Sequence, residues 1–238
     1  MLKASEILST LASSEPTGGR LPERLCVACN DRLTMTGVGL ALMTERGHEG
    51  TVGASNDGAR TLEELQFTMG EGPCLDASRS GRPMLHRDLA RNAPTLWPMF
   101  GPAVLDAGIA AVFAFPLQLG GIQLGVLDVY RDEPGPLDAE QIGDALAYAD
   151  AAVVLLLHLQ HETESGKSLH PELIDPLDYR PEVHQATGMI SVQTAVGLTE
   201  ALLLLRARAF SAERSLVDLA RDVIARRMRF YLEGAGGE

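Results

Sequence analysis

The sequence predicts an α+β architecture: an antiparallel sheet with flanking helices, then a helical connector, then a three-helix C-terminal bundle. Three observations predict it. Short apolar runs at Thr36–Thr44, Ile109–Leu119 and Ile122–Tyr130 are bounded by glycine or proline, as strands are. An unbroken helical pattern follows from Leu137 to about Gln160. The C-terminal stretch then carries three helix-length segments with their own start and stop signals. The 238 residues are 45% apolar and 22% charged, an ordinary globular composition that excludes collagen-like, coiled-coil-only and wholly disordered chains. The expected divisions are an α+β domain with its connector helix at 4–159, a linker at 160–179 and a helical module at 180–233.

Taken in order, the N-terminus carries Lys3, but Glu6, Ser9 and Thr10 interrupt any hydrophobic stretch behind it, so no secretory signal is expected. No uninterrupted apolar run approaches a membrane span, the nearest being Ala151–Leu157, and a cytoplasmic protein without membrane contact is expected. In Leu21–Leu33 the residues Leu25, Cys29 and Leu33 recur at helical spacing. Cys26 and Cys29 form a C-x-x-C that fits one buried helix face better than a redox pair, and no second ligand pair at zinc spacing accompanies it. With Cys74 they make three cysteines, too few for a disulfide framework and expected to stay reduced.

Gly70-Glu71-Gly72-Pro73-Cys74 opens a short helix that closes at Gly81, with proline at a first helical position and glycine past the end. Cys74 then stands at the second position, where the helix dipole favours a thiolate. Both a reactive or ligand-touching cysteine and an inert one are open. His86, near Trp97 and Phe100, is a candidate pocket residue or an ordinary surface histidine. Gly120-Gly121 between two apolar runs reads as a hairpin turn in which both residues can take positive φ. Both faces of Ile122–Tyr130 are apolar, so cover is expected on both sides, and Asp128 on one of them needs a donor or a route to water. The candidate pocket residues are thus Cys74, His86, Trp97 and Asp128. No catalytic triad, paired-carboxylate arrangement, P-loop or dinucleotide fingerprint is present, so neither an enzyme nor a cofactor is expected, and the ligand of such a pocket is left unnamed.

In the connector, Ile142, Leu146, Ala149, Val153 and Leu156 form a heptad row that suits a core helix, a homodimer seam through 137–160, or both. Glu162–Pro176 mixes charges, Ser165-Gly166 and prolines as linkers do. In the tail, Pro181 starts a helix to about Thr194, and Thr199 caps a second to about Phe210. Ser215 with Asp218 caps a third, with Leu216, Leu219, Ala220 and Val223 inward.

The net charge of −12 is unevenly placed. Residues 1–179 hold 12 bases and 25 acids, a balance of −13, whereas 180–238 hold 8 bases and 7 acids, a balance of +1. Between Arg206 and Arg229 stand seven arginines and no lysine against three acids. Guanidinium groups suit bidentate phosphate contact and stacking on bases, although a solvated face paired as Asp218–Arg221 and Asp222–Arg226 would look the same.

The stretch His184-Gln-Ala-Thr-Gly-Met-Ile-Ser-Val-Gln193, then Glu200-Ala201, Leu205-Arg-Ala-Arg-Ala-Phe210 and Ser215-Leu216-x-x-Leu219-Ala220, resembles the ANTAR domain, an RNA-binding module of bacterial antiterminators. Upstream, Gly70–Asp76, Trp97-Pro98-x-Phe100, Phe113-Ala-Phe-Pro-Leu117 and Gly125-Val-Leu-Asp-Val-Tyr130 resemble the GAF domain found before ANTAR domains in actinobacteria. The resemblance implies a signal-transducing transcription antitermination regulator: a GAF sensor with a possible small-molecule ligand, controlling a tail that binds paired RNA stem-loops as a dimer. No receiver-type acidic cluster accompanies it, so phosphorylation control is not implied. The residues it singles out for RNA contact are Gln185, Ala186, Gly188, Met189, Arg206, Arg208, Ala209 and Arg214. Ala186, Gly188 and Ala209 are small enough for close backbone approach, or for tight helix packing alone. The rival reading is a ligand-binding GAF signalling protein whose tail only mediates dimerisation.

Overall fold

The computed structural model describes residues 2–13, 19–44, 47–161, 173 and 180–231. The chain divides into two compact units, Met1–Tyr179 and Arg180–Glu238. In the first, helices α1 (Ala4–Ser13) and α2 (Leu21–Leu33) precede strands β1 (Gly37–Thr44) and β2 (Gly47–Ala54). Helices α3 (Asp57–Met69) and α4 (Pro73–Ser80), strand β3 (Met84–His86) and a 3₁₀ turn at Leu89–Arg91 follow. Short helices α5 (Ala93–Leu96) and α6 (Phe100–Asp106) lead to strands β4 (Ala111–Leu119) and β5 (Ile122–Arg131), and helix α7 (Ala139–His161) follows.

The five strands form one antiparallel sheet in the order β2-β1-β5-β4-β3. The sequence pattern marks β1, β4 and β5. It misses β2, whose GHEGTVGA is glycine-rich, and β3, which has three residues. The β4–β5 turn falls where Gly-Gly places it, but only Gly120 takes positive φ, at 61°. The sheet is covered on both faces, as the two apolar faces of β5 require. Val38, Leu40, Phe113, Phe115, Leu127 and Val129 meet α1, α2 and α7 on one side. Val112, Tyr130, Ala41, Ala114 and Val126 meet α3, α4 and α6 on the other.

Helix α2 buries Leu25, Cys26, Cys29 and Leu33 together, and burial pushes both thiols up in pKa, so the C-x-x-C is a packing face. It is tied to α7 by Arg32 Nε on Asp144 Oδ2 at 2.6 Å and by the Tyr148 hydroxyl donating to the Ala28 carbonyl at 3.0 Å. The heptad row of α7 turns largely inward: Ala149, Val153 and Leu156 are buried, whereas Leu146 is 45% exposed. Helix α7 is also long and apolar enough to cross a membrane, with mean hydropathy 1.6 over 18 residues. A reading of uninterrupted runs misses this because Asp144 and Asp150 divide it. More than half of that window is buried against the unit's own core.

The second unit contains α8 (Pro181–Thr194), α9 (Leu198–Ser211) and α10 (Leu216–Ile224), with Val183, Ile190, Ala201, Leu205, Leu219 and Val223 at its centre. Three helices stand where the sequence places them, with two corrections. Gly197, not Thr199, is the N-cap of α9. The last helix ends at Ile224, where the Arg227 and Met228 N–H groups fold back on the Asp222 carbonyl at 2.9 and 3.2 Å, so Arg226, Arg227 and Arg229 lie beyond it. The predicted linker 160–179 falls outside the described residues except for Gln160 and His161, which end α7, and Leu173, which is buried in the first core.

Candidate functional site

The α3/α4 face of the sheet holds a buried polar group in an otherwise apolar layer. Helix α3 is capped by the Asn56 side chain, which accepts from the Ala59 N–H at 2.9 Å, and its inward stripe is Ala59, Leu62, Glu63, Gln66 and Phe67. Two of those five positions are polar, and each is fully buried. The space for Glu63 comes from Gly39 on β1: a Cβ there would lie 2.3 Å from Glu63 Oε1. Gly39 is in turn the cross-strand partner of Asp128 on β5, whose other neighbour is Ala114. Two small residues therefore flank the Asp128 carboxyl and leave room above the strands.

Gln66 joins the pieces. Its Nε2 donates to Asp128 Oδ2 at 2.8 Å, and its Oε1 accepts from the Cys74 N–H at 2.8 Å. The second connection is possible because Gly70 closes α3 in the left-handed region and Gly72, at φ 128°, leaves no Cβ to strike the Gln66 amide. Cys74 is the second residue of α4, as its Gly-Pro opening and Gly81 close predict. Glu71, between the two glycines, accepts from the Met99 and Phe100 N–H groups at 2.9 and 3.2 Å and so holds the start of α6. His48 from β2 completes the group, with Nε2 3.2 Å from Glu63 Oε2 and its ring edge against Phe67.

Burial first, then Glu63, pushes the Asp128 carboxyl well above the usual carboxylate range. The Cys74 thiol is pushed up as well, by burial and then by Asp128. A thiolate favoured by the helix dipole is thus not what this site presents: desolvation in a closed layer outweighs a dipole worth roughly 0.3–1 kcal/mol. Asp128 finds a donor, Gln66, rather than a route to water.

The other two sensor candidates form a second pair. The His86 and Trp97 rings meet edge to face at 4.8 Å, and Trp97 Nε1 donates to Asp76 Oδ2 at 3.0 Å. Burial lowers the His86 pKa, with Asp76 opposing. Cys74 and Asp128 are brought together, His86 and Trp97 are brought together, and α4 carries a residue of each set. Sequence reasoning misses His48, Glu63 and Gln66. The signal that marks the last two is a Glu and a Gln on the buried stripe of an amphipathic helix. A cleft of about 550 Å³ opens elsewhere in this unit, lined among others by Glu23, Arg24, Asn56, Asp57 and Arg60.

In the second unit the eight RNA candidates divide by burial. Ala186 and Ala209 are buried between helices and serve packing. Gln185 and Arg208 are exposed, while Gly188, Met189 and Arg206 are half-buried, and a Cβ on Gly188 would meet open space. Arg214 is exposed but ion-paired to Asp222 at 2.7 Å. Asp222 also takes Arg227 at 2.6 Å, in place of the expected Arg226, and Arg221 joins Glu182 at 3.2 Å and Asp218 at 3.4 Å. Three of the seven arginines, Arg214, Arg221 and Arg227, are therefore engaged in ion pairs within the unit. Phe210 on α9, 59% exposed, stands two residues from Arg208.

The GAF domain family model matches residues 22–154. Among solved structures, the GAF domain of a phosphoenolpyruvate-protein phosphotransferase from Acinetobacter superposes with a TM-score of 0.50 at 10% identity, over 68% of this chain and 95% of that one. The GAF domain of the corresponding protein from Coxiella burnetii gives 0.48 at 15% identity, over 67% and 96%. No curated protein matches the chain.

Proposed function

This chain belongs to the GAF domain family, a family of signalling sensor domains, through residues 22–154, and from that premise we propose that it is a cytoplasmic, non-enzymatic regulator whose GAF unit controls an RNA-binding tail. The tail acts as an ANTAR-type module: it holds paired stem-loops of a nascent transcript and so keeps a terminator from forming. The observation that carries the reading is the last turns of α9, where the motif residue Arg208 and, two residues on, Phe210 are both exposed. A guanidinium for phosphate and an aromatic ring for an unstacked base are what a splayed RNA loop requires. Arg206 and Gln185 are further polar contacts of the same module, and Ala186, Gly188, Met189 and Ala209 shape it. A homodimer through the 137–160 helix would present two such modules to two equivalent stem-loops.

The test is filter binding of the intact protein to RNA with one or two stem-loops, over a salt series. Saturable binding that prefers the paired stem-loops and weakens with salt is expected. Arg208→Ala should lower affinity by about 1–3 kcal/mol, roughly 5- to 150-fold, with an unchanged helical circular dichroism signal. The absence of saturable binding refutes the reading. It would favour a tail that contacts protein, for which the exposed Val192, Leu203 and Phe210 speak.

A further inference from the structure

We infer that the buried group between α3, α4 and the sheet is a binding site for one divalent transition-metal ion, zinc in the first instance, held by His48, Glu63 and Cys74, with the fourth position taken by a water or an exogenous donor. The ligand atoms of these three all lie within 4.8 Å of one another. One pair, His48 Nε2 and Glu63 Oε2 at 3.2 Å, is already near tetrahedral spacing. Metal–ligand bonds of about 2.0–2.3 Å imply ligand separations of about 3.3–3.7 Å, so closing the site asks for side-chain shifts of about 1 Å. Asp128, the cross-strand partner of Gly39 beneath Glu63, borders this trio.

The donor set argues for the class of ion. One imidazole, one thiol and one carboxyl mix soft and hard donors, which suits zinc, iron(II) or cobalt(II) and does not suit magnesium or calcium. All three residues are at most 4% exposed, so a carboxylate and a thiolate here have no bulk water to solvate them. A bound dication neutralises them, and the Cys74 proton and the proton shared by His48 Nε2 and Glu63 Oε2 leave as these atoms ligate. Outer support is in place: Gln66 orients Asp128 and anchors the first turn of α4. Gly39 and Gly72 keep clear the volumes that Glu63 and Gln66 occupy. The ligands come from β2, α3 and α4, which is why linear spacing carries no metal signature. The inference is independent of what the tail binds.

The test uses the full-length protein, stripped with a chelator under reducing conditions and titrated with cobalt(II) and with zinc. Expected are one equivalent bound, tetrahedral cobalt d–d bands, a thiolate-to-cobalt charge-transfer band, and a higher Tm with zinc. Cys74→Ser should remove the charge-transfer band, whereas Cys29→Ala, whose thiol lies on the opposite face of the sheet, should keep it. Should Cys74→Ser fail to fold, X-ray absorption of the unaltered zinc protein decides: one sulfur in the first coordination sphere is expected. No stoichiometric metal, a charge-transfer band that survives Cys74→Ser, or a zinc sphere without sulfur would overturn the site. The group would then be a network held by shared protons.

Discussion

At Gly39 one absent methyl group decides whether a carboxyl can enter the sheet face. A Cβ there would lie 2.3 Å from Glu63 Oε1 and 2.9 Å from its Cγ, in a fully buried position with no room to retreat into water. Gly39→Ala should therefore destabilise the protein by about 1–3 kcal/mol in urea unfolding, as overpacking does. Gly50→Ala in β2, where an added Cβ meets nothing within 4 Å, should stay within about 0.5 kcal/mol of the parent. Equal stability of the two variants would mean that Glu63 swings away at no cost. Along the chain this is legible only in fragments. The stripe of Ala59, Leu62 and Phe67 carries Glu63 and Gln66 inward, but what they meet, Gly39 and Asp128, lies 24 and 65 positions from Glu63. Asp128 is visible as an anomaly because it interrupts an apolar strand; that it pairs with Gln66 is not, since no spacing along the chain links the two.

At the scale of elements, Asp222 brackets α10. Through Arg214 it holds the turn before the helix and through Arg227 the segment after it, at 2.7 and 2.6 Å. These two arginines hold the Asp222 carboxyl below its usual pKa. A carboxylate depressed in the folded state adds stability that is present above its unfolded pKa, near 3.8, and is lost as pH falls through the lower folded value. Asp222→Asn should lower the thermal stability of the tail at pH 7, and the gap between variant and parent should close on acidification below about pH 4. A gap independent of pH would assign Asp222 a packing role instead. Local punctuation explains which elements the sequence announces: Ser215 before α10, Gly72-Pro73 and Gly81 around α4, and Gly120 in the hairpin all act within a turn of where they stand. The stop after Ile224 is unannounced. No glycine or proline marks Ala225–Phe230, and the chain leaves the helix with Arg226 itself at φ 57°.

For the whole molecule, the acidic segment 1–179 contrasts with the near-neutral segment 180–238, and the proposed homodimer turns on what α7 leaves exposed. Leu146 and Val154 of α7 are 45% and 49% exposed, two turns apart on one stripe, with exposed Asp150 midway. The rest of the heptad row is spent on the core, so a homodimer through 137–160 has this stripe to use. Leu146→Asp with Val154→Asp should then convert a dimer to a monomer in sedimentation equilibrium while leaving the far-ultraviolet circular dichroism intact. Any pairing that brings both apolar residues of two copies together also brings the two Asp150 carboxylates near each other, and like charges at that spacing oppose association. Asp150→Asn should therefore tighten the dimer, most at low ionic strength, where a Debye length exceeds the roughly 10 Å of 0.1 M salt. A parent protein that sediments as a monomer, or an Asp150→Asn variant that associates no more tightly at low salt, would remove α7 as the seam. The proposed pairing of two tails on RNA would then need another surface.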